Sequence, residues 1–99
     1  MNKFENVVIF GASQGIGKAL ALEYISAGSR LVILSRNAAQ TKLLGEEITA
    51  AGGECYYQTC DITSSESVNS GIIFASEKLG KIDLVIINSG VGGPNWMES

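Results

Sequence analysis

The chain contains no histidine. That removes the commonest general base and the commonest metal ligand together. Cysteine is scarce: Cys55 and Cys60 are the two thiols. On one strand, five residues at about 3.3 Å each would hold them roughly 16 Å apart. A disulfide tolerates a Cα separation of only about 7 Å, so the two cannot pair there. They read as buried, reduced thiols rather than a redox or metal site. Long apolar runs are missing too. After polar residues 1–6, the first such run covers only residues 7–10, too short for a signal core or a membrane span. The expected setting is the cytoplasm, with no membrane partner. Nor is there a basic run. Seven Lys and Arg lie scattered against ten Asp and Glu, a net charge of −3, which leaves no electrostatic footprint for nucleic acid.

What remains is a small globular composition. Ninety-nine residues allow one domain at most, and a chain of this size buries about two-thirds of its unfolded surface. A hydrophobic fraction of 45% argues against disorder. Apolar runs recur at residues 7–10, 31–34, 55–59 and 82–87, the third being the weakest. The first, second and fourth are near-continuous, which suits parallel strands covered on both faces.

Helical patterns separate these runs. Residues 15–27 place Ile16, Leu20, Tyr24 and Ala27 on one stripe, with Ala19 and Ala21 beside it and Gly28 as a stop. The second helix is expected to start at Asn37, an N-cap with Gln40 as capping-box partner. Leu43, Leu44 and Ile48 form its apolar face, and Gly52-Gly53 end it. The third starts at Thr63 with Glu66 completing a second box. Val68, Ile72, Ala75 and Leu79 share its inner face, Gly80 stops it, and Ser70-Gly71 weakens it by about 1 kcal/mol relative to alanines. The alternation predicts an α/β fold, β-α-β-α-β-α-β, with a parallel sheet and right-handed crossovers. Residues 91–95 read as a loop, and residues 96–99 as the start of a further helix.

Gly11, Gly15 and Gly17 sit where the first strand hands over to the first helix. One glycine permits a tight turn, a second lets backbone approach a pyrophosphate, and a third allows the helix to pack on the sheet. The helix N-terminus then turns free amides and the positive end of its dipole toward phosphates. The spacing is G-x-x-x-G-x-G. A glycine triplet alone also fits a turn that holds no ligand, but the flanking strand, helix and second strand favour binding.

Arg36 discriminates among nucleotides. At the end of the second strand, NAD binders place an acid to accept from the ribose 2′-hydroxyl. Here Ser35-Arg36-Asn37 stands in that place, and no acid occurs between Ser35 and Gln40. A carboxylate would repel a 2′-phosphate, whereas a guanidinium binds one in bidentate fashion. The expectation is NADP(H) over NAD(H), and equally over S-adenosylmethionine and FAD. A solvated surface arginine at a helix start is the plain alternative.

In these residues the chain resembles the N-terminal half of a short-chain dehydrogenase/reductase. The match rests on Gly11-Ala12-Ser13-Gln14-Gly15-Ile16-Gly17, Ser35-Arg36, Asp61-Ile62-Thr63 and Ile87-Asn88-Ser89-Gly90, in that order over essentially the whole chain. Departures are Phe10 where many members have Thr, Ile87 in place of a first Asn, and Gln14 where NADP-type members often carry Lys or Arg. The resemblance implies a partial Rossmann fold with strand order 3-2-1-4. By it, Gly11, Ser13, Gln14, Gly15 and Ile16 line the pyrophosphate and adjoining ribose, and Gly17 serves helix packing. Arg36, with Ser35 and Asn37, holds the 2′-phosphate. Asp61 accepts from the adenine amino group beside the Ile62 backbone, and Asn88, Ser89 and Gly90 pass under the nicotinamide-side ribose. The plain alternative for Asp61 is a turn acid ahead of the Thr63 cap; that for Asn88, a strand-end residue bonding nearby backbone, is compatible with its role.

The family's reaction uses a Tyr general acid, a Lys four residues later and a Ser. Tyr24, Tyr56 and Tyr57 are followed at that spacing by Gly28, Cys60 and Asp61, so no catalytic residue is assigned. Residues 1–99 are expected to be the cofactor-binding half of a longer NADP-dependent oxidoreductase acting on a small carbonyl or alcohol. A non-catalytic nucleotide-binding or regulatory module complete at this length is the alternative, and a purely structural glycine turn is the third reading. With helices one and two on one face and the fourth strand an apolar edge, the chain is expected to be a truncated piece or a homo-oligomer.

Overall fold

A computed structural model describes residues 4–11 and 15–88. Seven elements alternate along them: β1 (Asn6–Phe10), α1 (Gly15–Ser26), β2 (Arg30–Ser35), α2 (Ala38–Ala50), β3 (Cys55–Thr59), α3 (Ser65–Leu79) and β4 (Leu84–Ile87). The strands form one parallel sheet in the order β3-β2-β1-β4, as expected. Every residue of β1 is buried, and so are five of the six in β2. An unbroken apolar run settles in such a central position because both of its faces meet helices.

The period of two divides the core into two layers. Val7, Ile9, Leu31 and Ile33 pack with Ala21 of α1 and Leu44 and Ile48 of α2. Val8, Phe10, Val32 and Leu34 pack with Ala75 and Leu79 of α3. Cys55 belongs to the first layer and Cys60 to the second, and both are free thiols. They are therefore held apart by the sheet itself.

The first two helices keep part of the expected inner face and change the rest. In α1 the buried residues are Gly17 and Ala21, with Leu20, Tyr24 and Ile25 against the core. Ile16 is 71% exposed and Ala27 lies past the helix end. The stripe is rotated by one residue because small side chains, not the largest ones, let α1 approach the sheet closely. In α2 the inner face is Thr41, Leu44, Gly45 and Ile48, and Leu43 is 66% exposed. A Cβ on Gly45 would lie 2.2 Å from the Tyr57 ring, so this glycine sets how near α2 comes to β3. Asn37 caps α2 as expected, its Oδ1 accepting from the Gln40 amide at 2.9 Å, but the box is not closed, since Gln40 Oε1 accepts no hydrogen bond among the described residues.

The third helix is capped by Ser64, not Thr63. Ser64 Oγ accepts from the Ser67 amide at 3.2 Å, leaving Glu66 as a first-turn acid rather than a box partner. Gly71 faces the sheet, where a Cβ would stand 3.1 Å from Leu34 Cδ1. Close helix-sheet contact offsets its weak helix propensity. Gly80, at φ +78°, ends the helix, as expected.

Candidate functional site

Because all four strands run parallel, their C-terminal ends meet along one edge. Backbone bonds continue the ladders one residue beyond the strands and fix the first residues of the loops. The Gly11 amide donates to Leu34 O at 2.6 Å, the Cys60 amide to Ser35 O at 2.8 Å, and the Asn88 amide to Phe10 O at 2.9 Å. The edge therefore reads Asp61, Arg36, Gly11, Asn88, in the order β3-β2-β1-β4. Three interstrand steps of about 4.8 Å make this row roughly 14 Å long. The chain winds one way from β1 through β2 to β3 and the other way to β4. That reversal opens a crevice beyond β1, the usual ligand position in an open α/β sheet.

Two glycines occupy the crevice for different reasons. Gly11 has φ +81°, and a Cβ there would lie 1.8 Å from Asn88 O. Asn88 in turn donates from Nδ2 to Gly11 O at 3.3 Å. The end of β4 thus presses onto the glycine turn, a contact between residues 77 apart that spacing alone does not reveal. Gly15 has φ +66°, and among the described residues nothing lies within 4 Å of its Cβ position. Gly15 is the first residue of α1. Gly17 is buried within α1, in keeping with a packing role.

The second and third strand ends present the polar groups. Ser35 is buried and lies opposite Thr59, whereas Arg36 and Asn37 are exposed. Asn37 Oδ1 is engaged in capping α2, which leaves Arg36 as the outward cation. Asp61 is half-exposed, with exposed Ile62 beside it. Its Oδ1 accepts from both the Thr63 amide at 3.0 Å and Thr63 Oγ1 at 2.7 Å. These two bonds, hydroxyl before amide, hold its carboxyl below the usual range; the Arg36 charge adds a smaller pull in the same direction. Ser67 Oγ accepts from the Asp61 amide at 2.8 Å. Sequence reasoning missed Thr63 and Ser67 as partners of Asp61. The signal for Thr63 was the Asp-x-Thr spacing of an Asx-turn.

Ser13, Gln14, Ser89 and Gly90 lie outside the described residues. Among the described residues, no group of three or more His, Cys, Asp and Glu side chains could hold a metal, and no helix is long and apolar enough to cross a membrane.

The sheet order and a glycine turn at its switch point define a Rossmann-like α/β unit. Residues 5–99 match the family model described as short chain dehydrogenase, and the chain belongs to that family. It is 39% identical over 87 residues to the 7α-hydroxysteroid dehydrogenase of Escherichia coli, covering 88% of this chain and 34% of that protein. Among solved structures, a hydroxysteroid dehydrogenase from Escherichia coli superposes with a TM-score of 0.86 at 38% identity, covering 91% of this chain and 38% of that one. A metagenomic short-chain oxidoreductase in complex with NADP gives 0.79 at 34% identity, with 88% and 40% coverage. The chain spans about a third of the length of the curated relatives it matches, 34% for the Escherichia coli enzyme.

Proposed function

We propose that residues 1–99 are the NADP-binding half of an oxidoreductase that moves hydride between a nicotinamide and a carbonyl or alcohol carbon of a small molecule. The observation that carries this reading is the row Asp61, Arg36, Gly11, Asn88 along the C-terminal edge of the sheet. The donor set fits the cofactor. Gly15, with no described residue within 4 Å of its Cβ position, suits a pyrophosphate at the start of α1. Exposed Arg36 suits a 2′-phosphate, and Asp61 suits an adenine amino group. Asn88 stands at the nicotinamide end. By the same reading Ser13, Gln14 and Ile16 belong with Gly11 and Gly15 around the pyrophosphate, Ser35 and Asn37 with Arg36, Ile62 with Asp61, and Ser89 and Gly90 with Asn88. NADP supplies the hydride chemistry, while the residues of this chain bind and orient it. Family membership and the structural neighbour solved with NADP support the reading. The free, buried thiols of Cys55 and Cys60 support a cytoplasmic setting, and the outer side of β4, which among the described residues pairs with β1 alone, would suit either the remainder of a longer protein or a second copy in a homo-oligomer.

Titration of the full chain with NADPH and NADH tests the proposal. NADPH should bind more tightly. Arg36→Ala should weaken NADPH by about 10- to 100-fold, the value of one or two charge-assisted hydrogen bonds, and barely change NADH. Tighter binding of NADH by the unmodified protein would reject the role given to Arg36. A Ser and a Tyr-x-x-x-Lys encoded after Ser99 would supply the catalytic set that residues 1–99 lack.

A further inference from the structure

The Asp61 carboxylate is held more firmly than a turn requires. Both hydrogen bonds from Thr63 end on the same oxygen, Oδ1. The Asp61 amide is tied separately to Ser67 Oγ in the first turn of α3, and Ser67 is itself tied by its amide to the N-cap Ser64. The Asp61 side chain is thus anchored to the turn that leads into α3, and its backbone to the first turn of α3 itself. Among the described residues no hydrogen bond reaches Oδ2. An ionised carboxylate accepts through both oxygens, so one oxygen is spent on orientation and the other keeps its accepting capacity.

We propose that Thr63, with Ser67 behind it, is a positioning residue that makes the Asp61 carboxylate select a purine carrying an amino group at position 6 over one carrying an oxo group. This rests on the adenine role of Asp61 in the proposed function. A freely rotating aspartate loses rotamer entropy on binding and can swing away from a misfitting base. A fixed one does neither. It meets a 6-amino group with an acceptor already in place and sets two oxygen lone pairs against each other when the group is 6-oxo. Discrimination of this kind comes from the unpaired group in the wrong complex.

The test compares NADPH with its hypoxanthine analogue by fluorescence titration of the full chain. Thr63→Val keeps the side-chain shape and removes the hydroxyl. It should weaken NADPH about tenfold, the order of one hydrogen bond, leave the analogue no weaker, and so collapse the preference. Thr63→Ser should restore it. Ser67→Ala should lower the preference by a smaller factor, and it keeps the test open if the valine variant folds poorly. An equal loss for both nucleotides, or no change, or no rescue by serine, would overturn the positioning role while Asp61 still reads adenine. An unmodified protein that binds both nucleotides alike would overturn it by removing the adenine assignment itself.

Discussion

At the scale of single residues, the two glycines of the turn separate stability from binding. Gly11→Ala meets left-handed strain of about 1–2 kcal/mol and an Asn88 carbonyl oxygen 1.8 Å from the new Cβ. Overpacking against backbone adds about 1–3 kcal/mol, so the variant should lose most of the stability of a small domain. Gly15→Ala meets the same kind of strain, about 1–2 kcal/mol, and no described residue within 4 Å of the new Cβ. It should remain folded and lose NADPH affinity, because its methyl group would occupy the space proposed for the pyrophosphate. Thermal melts and nucleotide titrations on both variants check this, and comparable melting losses would count against the distinction. Cys55 supplies a pH dependence. Burial pushes its thiol from 9.0 up to about 12. Between those values the unfolded chain sheds a proton that the folded chain keeps. The stability contributed by the neutral thiol is therefore complete below pH 9 and lost as pH climbs through the folded value. The slope is at most about 1.4 kcal/mol per pH unit. Urea unfolding from about pH 8 to about pH 11 should show that decline, and Cys55→Ala should flatten it.

At the scale of elements, α3 shows where sequence patterns suffice and where they do not. Its inner face of Val68, Ile72, Ala75 and Leu79 and its stop at Gly80 were legible, because a 3.6-residue period and a terminal glycine are local signals. Its start was not. Thr63 and Ser64 are both acceptable N-caps, and the choice between them is made by Asp61, whose carboxylate engages Thr63 first. Ser64→Ala should accordingly cost about 1 kcal/mol of stability, the usual value of a lost cap, readable as a lower urea midpoint. Removing the Thr63 hydroxyl should not remove a helix cap. The inner faces of α1 and α2 were read in part: Leu20, Tyr24, Leu44 and Ile48 pack on the core as expected, and Ile16, Ala27 and Leu43 do not. Periodicity finds apolar residues, but helix-sheet distance selects small ones, so Gly17 and Gly45 face the sheet where Ile16 and Leu43 were expected. In the candidate site, Gly11, Arg36, Asp61 and Asn88 were legible because each comes after a recognisable strand. The grip of Asn88 on Gly11 was not, since it joins residues 77 positions apart.

At the scale of the whole molecule, the two ends of the sheet are built differently. The N-terminal end is closed by side chains. Arg30 donates to Glu54 at 3.0 Å, to Asn6 Oδ1 at 3.1 Å, and to the last carbonyls of α3, Lys78 O and Leu79 O, at 3.1 and 3.2 Å. Asp83 Oδ2 accepts from the Asn6 amide at 2.9 Å. Those bonds tie β1, β2, the approach to β4 and the end of α3 together, at the end of the sheet opposite the edge that carries Arg36 and Asp61. The lateral edges are unequal as well. β3 is polar and partly exposed at its outer edge, with Gln58 and Thr59, whereas β4 is Leu84-Val85-Ile86-Ile87, with no residue fully buried. Among the described residues β4 pairs with β1 alone. Its other side offers a row of backbone donors and acceptors flanked by apolar side chains, the combination that drives strand addition between chains. Residues 1–99 expressed alone should therefore associate, with a light-scattering mass that rises with concentration and a broad thermal transition. A monodisperse monomer that melts sharply would show that β4 is covered within these residues, and would remove the physical reason for expecting a partner at that edge.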